Sequence, residues 1–539
     1  MIDAALTGWS GFLVAYGAAQ APMIAGLIKG RAAMRHYALS PLVALPLTAI
    51  SAAGASIVGA HGLVHFAITA AAGAFLGYAG GRATAREGVE NSIHQRGSLI
   101  AEAPAPRQSR SRSLGADAAI TLAGVAIPAM DEAKHFKLIG TTGTGKSTAV
   151  QEILSAALAR GDRAVIADPD GGYLRRFHQE DRGDIILNPF DERSVKWDLF
   201  KEIRNPYDVE QLARSLIPDH EGPDRSWRGY ARTFFAAVTR QAHNAGISDV
   251  GELYRLLVIA DSSELRGLVR GTPAQPFLEE QNSRMFDSIR SVASSAVGAL
   301  DYVAQQKSSG FSVRDWVDDE KPGVLFMPYK AGQIAALRSS ISAWMRLAIF
   351  ETMDQGDQSE GKARLWFVVD ELDALGQIDG LKDALARLRK FNGRCVLGFQ
   401  SLAQVSSTYG QGDAHTIVEN CSNTLILRCS ASEGGGTARF ASQLIGEREV
   451  LRTTESTSRR ATEVMGSVSR SRHFTVESAV LPSQVEQLPD LTGYLKYASD
   501  PTWLRVRLDA KSAWNAAKST PAAALPDERV KRFFGAECE

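Results

Sequence analysis

Residues 140–148 have the composition and the spacing of a loop that binds a phosphate chain. They read GTTGTGKST and match the pattern G-x-x-x-x-G-K-[ST]. Glycines let backbone N–H groups surround phosphate oxygens, and the positive end of a following helix adds to the attraction. In this pattern the lysine reaches the β- and γ-phosphates and the serine ligates Mg²⁺. We expect contacts to the nucleotide or its metal ion from Gly140, Thr141, Thr142, Gly143, Thr144, Gly145, Lys146, Ser147 and Thr148.

The sequence on both sides of this loop favours the same interpretation. Residues 136–139 form a short apolar run that is typical of a strand. After the loop, apolar residues recur at helical spacing as far as Arg160 and Gly161, which end the pattern. A chance match in a glycine-rich loop is the alternative, but it would not need a strand before it and a helix after it. The pattern therefore predicts a nucleotide-binding P-loop.

A second acidic site follows another apolar run. Residues 365–369 read LWFVV and end in two carboxylates, Asp370 and Glu371. We expect Asp370 to hold Mg²⁺ and Glu371 to polarise the attacking water, a role that a nucleotide switch without hydrolysis does not need. Taken alone, the segment is better explained as a buried parallel strand followed by an acidic helix N-cap. Together with the P-loop, it predicts a hydrolase that uses ATP and Mg²⁺.

Two further polar positions lie beyond the second acidic site. Residues 394–399 form an apolar run that ends in Gln400, where a glutamine beside the P-loop can sense the γ-phosphate. Arg389 follows a helical segment and is either a solvated cation at a helix end or an arginine directed to a neighbouring subunit's nucleotide. Action on a neighbour implies a ring. Arg387 is the alternative arginine for this role.

Two uncharged segments near the amino end have the length of membrane spans. Residues 37–81 contain no Lys, Arg, Asp or Glu, and Asp3 is the one charged residue among residues 2–27. About 20 helical residues cross the ~30 Å hydrocarbon core of a bilayer. We therefore expect three spans, near residues 9–27, 41–60 and 64–78. The basic residues that flank these spans are Lys29, Arg31, Arg35, Arg82 and Arg86.

By the positive-inside rule, these basic flanks lie in the cytoplasm, which favours three spans with the N-terminus outside. Two spans with a longer, tilted second helix, or a buried helical hairpin of a soluble protein, are the alternatives. A signal peptide fits poorly, because no basic region precedes the first apolar run and a longer apolar run follows it. The segment EAPAPRQSRSRS at residues 102–113 is typical of a solvated linker that lies near anionic headgroups.

Length and composition indicate a multidomain protein of a reducing compartment. The chain has 539 residues, a net charge of zero from 60 Lys and Arg against 60 Asp and Glu, and four cysteines. At about 100–200 residues per domain, this length predicts three to four domains. The neutral balance gives no global sign of nucleic-acid binding. The cysteines lack CxxC pairing and histidine neighbours, which argues against a zinc site or a disulfide framework.

Strand-like runs alternate with helical patterns over most of the chain, as in a largely parallel α/β sheet. Between about residues 197 and 316 only helical patterns remain, which predicts an inserted all-α domain. Residues 453–472 are rich in Ser, Thr and Arg and are expected to form a mobile surface loop or a contact to nucleic-acid backbone. The predicted domains are a transmembrane anchor (1–81), a juxtamembrane linker (82–115), a nucleotide-binding domain (116–196 and 317–510), the all-α domain (197–316) and a C-terminal tail (511–539).

The order of these motifs resembles that of the membrane-anchored coupling ATPases of conjugation and type IV secretion, the TrwB/TraD-like proteins of the FtsK/HerA class. The resemblance covers nearly the whole cytoplasmic part. The P-loop alone is unspecific, whereas the order of apolar N-terminus, P-loop, helical insertion, acidic site, FQS and LPDLTGY is specific to this family. The segments that carry it are GTTGTGKST, RAVIADPDGGY, LWFVVDELDAL, LGFQSLAQ and EQLPDLTGYLKYASDPTW.

The resemblance implies a fold and a set of site residues. The fold is α/β, with a RecA-like P-loop NTPase core, a mainly parallel sheet, an inserted all-α domain and N-terminal transmembrane helices. The implied roles are a metal ligand at Asp370, a water-activating base at Glu371 and a sensor at Gln400, with a trans arginine at Arg389. The family's anchor has two spans, and the three that fit the charge pattern here leave the side of the N-terminus open.

The resemblance also implies a homohexameric ring, held by several spans at the cytoplasmic face of the bacterial inner membrane. Such a ring recruits a relaxase-bound strand and pumps single-stranded DNA, or a protein substrate, into a type IV secretion channel. The implied partners are single- or double-stranded DNA, the relaxase with its relaxosome, and the channel proteins. Two other functions stay open: a secretion ATPase for protein effectors that is indifferent to DNA, and a membrane scaffold that binds nucleotide only to assemble.

Overall fold

The structure is a computed structural model of the chain. It describes residues 9–29, 32, 34–58, 63–85, 92–103, 119–219, 222–319, 321–355, 364–431, 435–458 and 467–510. The chain forms two compact units, one of Met1–Arg96 with Arg448–Glu477 and one of Gly97–Glu447 with Ser478–Glu539. The predicted tail over residues 511–539 lies outside the described residues.

Helices and strands are numbered along the chain. The helices are α1 (Trp9–Lys29), α2 (Met34–Val58), α3 (Leu63–Ala85), α4 (Ala129–Glu132), α5 (Lys146–Ala159), α6 (Gly172–Phe177), α7 (Asp208–Leu216), α8 (Arg225–Asn244), α9 (Val250–Tyr254), α10 (Ser262–Leu268), α11 (Ser283–Val297), α12 (Ala299–Ala304), α13 (Val313–Asp318), α14 (Ile334–Asp354), α15 (Leu381–Arg387), α16 (Leu402–Tyr409), α17 (Gln411–Asn420), α18 (Gly436–Ile445) and α19 (Pro482–Glu486). The strands are β1 (Ser92–Gly97), β2 (Ile100–Glu102), β3 (Thr121–Leu122), β4 (Val125–Ala126), β5 (Phe136–Ile139), β6 (Arg163–Pro169), β7 (Ile185–Ile186), β8 (Lys196–Trp197), β9 (Gly310–Phe311), β10 (Val324–Tyr329), β11 (Leu365–Val369), β12 (Gly393–Phe399), β13 (Asn423–Ile426), β14 (Glu447–Ser458), β15 (Ser467–Ser478), β16 (Thr492–Lys496) and β17 (Trp503–Arg507).

Helices form at all three predicted spans, as α1, α2 and α3. Among the described residues, the segments Ser10–Lys29 and His36–Ala53 are long and apolar enough to cross a membrane. The structure therefore contains two candidate membrane spans near the amino end, and α3 follows them as a third helix of 23 residues.

Helices α1 and α3 run parallel to each other in close contact. Gly73 lies against Ala19 and, one turn further along both helices, Gly77 lies against Met23. A Cβ atom at either glycine would clash with a backbone carbonyl oxygen of α1. Small residues at such contacts are typical of helix pairs in membranes, because they let the backbones approach closely.

Ten strands of the second unit form one central sheet, in the order β2-β17-β16-β13-β5-β12-β11-β6-β10-β7. Every neighbouring pair is parallel except the two pairs that include β16. Apolar side chains are buried on both faces of the sheet, which is why its strands appear in the sequence as continuous apolar runs. The predicted mainly parallel α/β sheet is confirmed.

The middle of this sheet brings the sequence motifs together. Strands β5, β12 and β11 are neighbours and run in the same direction. The P-loop follows β5, Gln400 follows β12 and Asp370 follows β11, so all three lie at the carboxyl ends of these central strands. The carboxyl edge of a parallel sheet is where such folds bind ligands.

The insertion lies between β8 and β9, which pair in parallel at its base as a separate two-stranded sheet. Between them the described residues form α7 to α12, packed around a shared apolar core. Glu202 is buried at the base and accepts hydrogen bonds from the backbone N–H groups of Val313 (2.7 Å) and Arg314 (3.2 Å). The carboxylate therefore joins the entrance of the insertion to its exit.

The sheets include more of the chain than the sequence analysis indicated. Strand β2 lies within the segment 82–115 that we interpreted as a linker, and it pairs with β17. The predicted loop over residues 453–472 is wrong in part, because β14 and β15 cover both of its ends and form a separate sheet with β1. Side chains on β14 and β15 form ion pairs such as Arg448–Glu477 (3.0 Å). Apolar periodicity gives no sign of such polar cross-strand pairs. Arg459 and Arg460 lie outside the described residues.

Candidate functional site

The predicted P-loop connects β5 to α5 and has the backbone shape that phosphate binding requires. Gly143 (φ 78°) and Gly145 (φ 118°) adopt the left-handed region, which side chains disfavour. Lys146 opens α5, and its Nζ donates hydrogen bonds to the carbonyl oxygens of Gly140 (2.6 Å) and Thr141 (3.2 Å). Burial lowers the pKa of Lys146. The remaining predicted contacts, Thr142, Thr144, Ser147 and Thr148, lie on the same loop or in the first turn of α5.

The structure brings Ser147 and Asp370 into direct contact, although 223 residues separate them in the sequence. The Ser147 hydroxyl donates a hydrogen bond of 2.6 Å to Asp370 Oδ2. Gly398 on β12 permits this packing, because a Cβ atom there would clash with the backbone of Asp370. Asp370 Oδ1 is buried and accepts no hydrogen bond within the described part of the chain. A hydroxyl and a buried carboxylate with a spare oxygen are the hard oxygen ligands that Mg²⁺ prefers, so the residues fit this ion.

Glu371 and Gln400 are also in contact. Gln400 Nε2 donates a hydrogen bond of 3.2 Å to Glu371 Oε1, which joins the end of β12 to the end of β11. Burial raises the pKa of Glu371, and the nearby carboxylates of Asp370 and Asp373 act in the same direction. A carboxylate with a raised pKa beside a phosphate site is a suitable general base. The geometry thus brings together the P-loop, Asp370, Glu371 and Gln400, which the sequence patterns assigned to one site.

Tyr173 is also part of this site, although it was not among the residues predicted from the sequence. Its ring is buried, and its hydroxyl donates a hydrogen bond of 2.7 Å to Asp370 Oδ2. The backbone N–H groups of Tyr173 and Leu174 in turn donate to Asp168 at the end of β6, and burial raises the pKa of Asp168 to about 7. A signal was available in the segment RAVIADPDGGY, because a third strand ends in a polar turn at the same edge of the sheet.

We expect Tyr173→Phe to raise the Mg²⁺ concentration that half-saturates ATP hydrolysis by about tenfold. Phenylalanine keeps the packing but removes one of the two hydroxyls that orient Asp370. The matched control is Tyr497→Phe, because Tyr497 is equally buried but its hydroxyl donates to Val125 O, away from the site. An unchanged Mg²⁺ requirement in Tyr173→Phe would show that the hydroxyl does not position Asp370.

Arg389 and Arg387 lie near the amino ends of the strands, on the opposite side of the sheet from this site. Arg387 ends α15, Arg389 lies in the 3₁₀ segment Leu388–Phe391, and both side chains are exposed. That segment leads directly into the amino end of β12, whereas Gln400 follows its carboxyl end. A seven-residue strand spans about 20 Å, which an arginine side chain cannot bridge. Neither arginine can therefore reach the P-loop of its own chain in this arrangement.

Comparison with known proteins gives a family match over most of the second unit. The model of the type IV secretion-system coupling protein DNA-binding domain matches residues 119–509. The coupling protein TraD of Escherichia coli (strain K12) is 33% identical over 387 residues, which is 71% of this chain and 53% of TraD. A conjugal transfer protein TraG of Escherichia coli is 22% identical over 406 residues, or 66% of this chain and 62% of TraG. The chain thus spans about half to three fifths of these relatives.

Solved structures of the plasmid coupling protein TrwB have the same fold. The unbound form of TrwBΔN70 superposes with a TM-score of 0.68 at 32% identity, covering 77% of this chain and 93% of that one. The complex of TrwB with the non-hydrolysable analogue ADPNP gives 0.67 at 31% identity, covering 78% and 95%. The complex of TrwB with ADP and Mg²⁺ gives 0.66 at 32% identity, covering 77% and 94%. The RecA-like fold predicted from the sequence is confirmed.

Proposed function

The chain belongs to the family of type IV secretion-system coupling proteins, and on that premise we propose that it is an inner-membrane motor that hydrolyses ATP to move DNA into a secretion channel. One observation carries the proposal. The P-loop, the Ser147–Asp370 contact and the Glu371–Gln400 contact converge at one edge of the sheet. A protein that only binds nucleotide needs the first two, whereas a positioned base is useful only for hydrolysis.

Each site residue then has a chemical task. Lys146 and the backbone N–H groups of the P-loop hold the phosphates, and Ser147 with Asp370 holds Mg²⁺. Mg²⁺, when bound, neutralises charge on the phosphate oxygens. Glu371 accepts a proton from the attacking water, and Gln400 holds Glu371 in the required orientation.

The position of Arg389 supports assembly as a ring of identical subunits. An exposed arginine that cannot reach its own site can complete the site of a neighbour, where it would stabilise charge in the transition state. We propose a homohexamer in which Arg389 takes this role. A ring also accounts for DNA binding by a chain of zero net charge, because a few Lys and Arg side chains per subunit are repeated around the lumen.

The anchor is proposed to cross the inner membrane three times, with the large second unit in the cytoplasm. The parallel contact between α1 and α3 supports this topology, because parallel neighbours that are joined through one intervening span cross the bilayer in the same direction. The basic flanks of the spans agree with a cytoplasmic second unit. Relaxase-bound DNA is the proposed cargo, and the secretion channel is the proposed destination.

Single-stranded DNA is expected to stimulate ATP hydrolysis by the full-length protein in lipid nanodiscs, and the stimulation should weaken as salt increases. Contacts to phosphates release counterions, so the logarithm of DNA affinity should fall linearly with the logarithm of salt concentration. Phosphate release is measured with and without DNA, and the Lys146→Ala variant is the blank. Hydrolysis that is equal with and without DNA would favour a secretion ATPase for protein effectors. An absence of hydrolysis in assembled rings would favour the scaffold.

A further inference from the structure

Two segments far apart in the sequence touch the P-loop from its outer side, away from Asp370 and Glu371. The backbone N–H of Thr141 donates a hydrogen bond of 2.9 Å to the carbonyl oxygen of Arg428, which follows β13. The backbone N–H of Leu491 donates a hydrogen bond of 2.9 Å to the carbonyl oxygen of Thr144. The segment LPDLTGY, to which the proposed mechanism assigns no task, therefore contacts the phosphate-binding loop directly.

The side chain of Arg428 connects these two segments. Its Nη2 forms an ion pair of 2.6 Å with Asp490 Oδ1, and its Nη1 donates to the carbonyl oxygen of Leu488 at 3.5 Å. The contacts form a closed ring that runs from Thr141 through Arg428 and the turn Leu488–Leu491 to Thr144. We call Arg428 with this turn the outer brace. It holds both sides of the loop that wraps the phosphates.

The backbone of the outer brace is strained at Leu491. This leucine has a φ of 62°, in the left-handed region that residues other than glycine rarely adopt. The conformation is held by the bond to Thr144 and by a hydrogen bond of 2.7 Å from the N–H of Leu508 to the carbonyl oxygen of Leu491. Its side chain fills the space beside Gly145, where a Cβ atom would come within 2.9 Å of Leu491 Cδ2. Strain of this kind persists where the surrounding structure over-determines it, often at functional sites.

We propose that Arg428 and Asp490 are positioning residues, which keep the P-loop in its phosphate-binding shape through the turn Leu488–Leu491. The inference rests on the proposed nucleotide-dependent function. If the loop adopts the binding shape for only a fraction of the time, its apparent affinity for nucleotide is the intrinsic affinity multiplied by that fraction. Neither side chain needs to contact the phosphates, because both act on the backbone of Thr141 and Thr144. The expected defect is therefore in nucleotide affinity and not in the chemical step.

The test is a double-mutant cycle on nucleotide binding by the full-length protein in nanodiscs. Arg428→Ala and Asp490→Ala, alone and combined, are titrated with ADPNP and Mg²⁺, and KM and kcat for ATP are measured in parallel. Arg428→Ala keeps the backbone carbonyl that Thr141 uses, so only the connection to the turn is lost. We expect each single variant to weaken ADPNP binding and raise KM by about three- to fivefold, the range that one half-exposed ion pair supports, with kcat within about twofold of the wild type. The double variant should be no weaker than the weaker single variant, because both changes break the same link.

The matched control is the ion pair Lys382–Asp413. Its atoms are also 2.6 Å apart and its side chains are similarly exposed, at 40% and 37% against 36% and 58% for Arg428 and Asp490. Lys382→Ala and Asp413→Ala should leave ADPNP affinity unchanged. Because exposed ion pairs contribute little to stability, the Tm of all variants without nucleotide should stay close to that of the wild type.

Three results would overturn the inference. Unchanged ADPNP affinity in Arg428→Ala, with normal binding by the wild type, refutes the outer brace but leaves the proposed function intact. Additive losses in the double variant show that the two residues act separately. A wild type that does not bind ADPNP, like Lys146→Ala, refutes the proposed function and the inference together.

Discussion

Replacing Glu371 with glutamine is expected to slow ATP hydrolysis by about a thousandfold while nucleotide binding is retained. Glutamine keeps the size of the side chain and its contact with Gln400, but it cannot take a proton from water. The structure separates the roles of the two carboxylates. Gln400 contacts Glu371, whereas Asp370 is bound to Ser147, so Glu371→Gln removes the proposed base and leaves the proposed metal ligands in place. Burial raises the pKa of Glu371, which strengthens it as a base once it is ionised.

Steady-state phosphate release and equilibrium binding of ADPNP separate the two effects. Lys146→Ala should lose binding as well as hydrolysis, because it removes the charge that holds the phosphates. Asp373→Asn is the matched control, since it removes a neighbouring carboxylate that acts on Glu371 only through its charge, by raising the pKa of the base, and it should cost far less activity. Near-normal hydrolysis by Glu371→Gln would assign the base elsewhere. Normal biological function without hydrolysis would favour the scaffold.

Arg389→Ala is expected to lower ATP hydrolysis by about a thousandfold without weakening ADPNP binding, because an arginine that acts in the transition state contributes about 10³–10⁵-fold to the rate. Arg387→Ala is the matched control, two residues away and equally exposed. A larger loss in Arg387→Ala than in Arg389→Ala would exchange the two assignments.

Mixing two inactive variants tests whether the arginine acts on a neighbour. Lys146→Ala subunits keep Arg389, and Arg389→Ala subunits keep an intact P-loop. In a mixed ring, some interfaces pair the intact arginine with the intact loop, so part of the activity should return. If mixing restores nothing in rings shown to contain both variants, Arg389 does not act in trans.

The motifs that the sequence revealed are those whose signal is local. The P-loop is complete within nine residues, and β11 with its two carboxylates is complete within seven. Because parallel strands place their carboxyl ends together, the sequence also indicated that Gln400 would lie near the P-loop. The insertion was visible because the alternation of strands and helices stops there.

The residues that the sequence did not reveal depend on contacts between distant segments. Tyr173 contacts Asp370, which is 197 residues away in the sequence, and the outer brace joins Thr144 to Leu491. Nothing in the local sequence marks Leu491 as left-handed, because that conformation is imposed by its partners. Strands β14 and β15 were missed for another reason: they consist mostly of polar and charged residues, some of which form ion pairs such as Arg448–Glu477, so their sequence lacks a sustained apolar alternation.

Strand β2 has a practical consequence for work with shortened forms of the protein. It covers one side of β17, with hydrogen bonds from Trp503 N–H to Leu99 O and from Ala103 N–H to Arg505 O, both 2.9 Å long. Removing the linker together with the anchor would uncover β17, and an open strand edge is a template for pairing with another chain. Such a preparation would self-associate through its sheets. Its large particles, seen by light scattering, would be aggregates unrelated to the native ring, so a shortened chain should begin before Leu99.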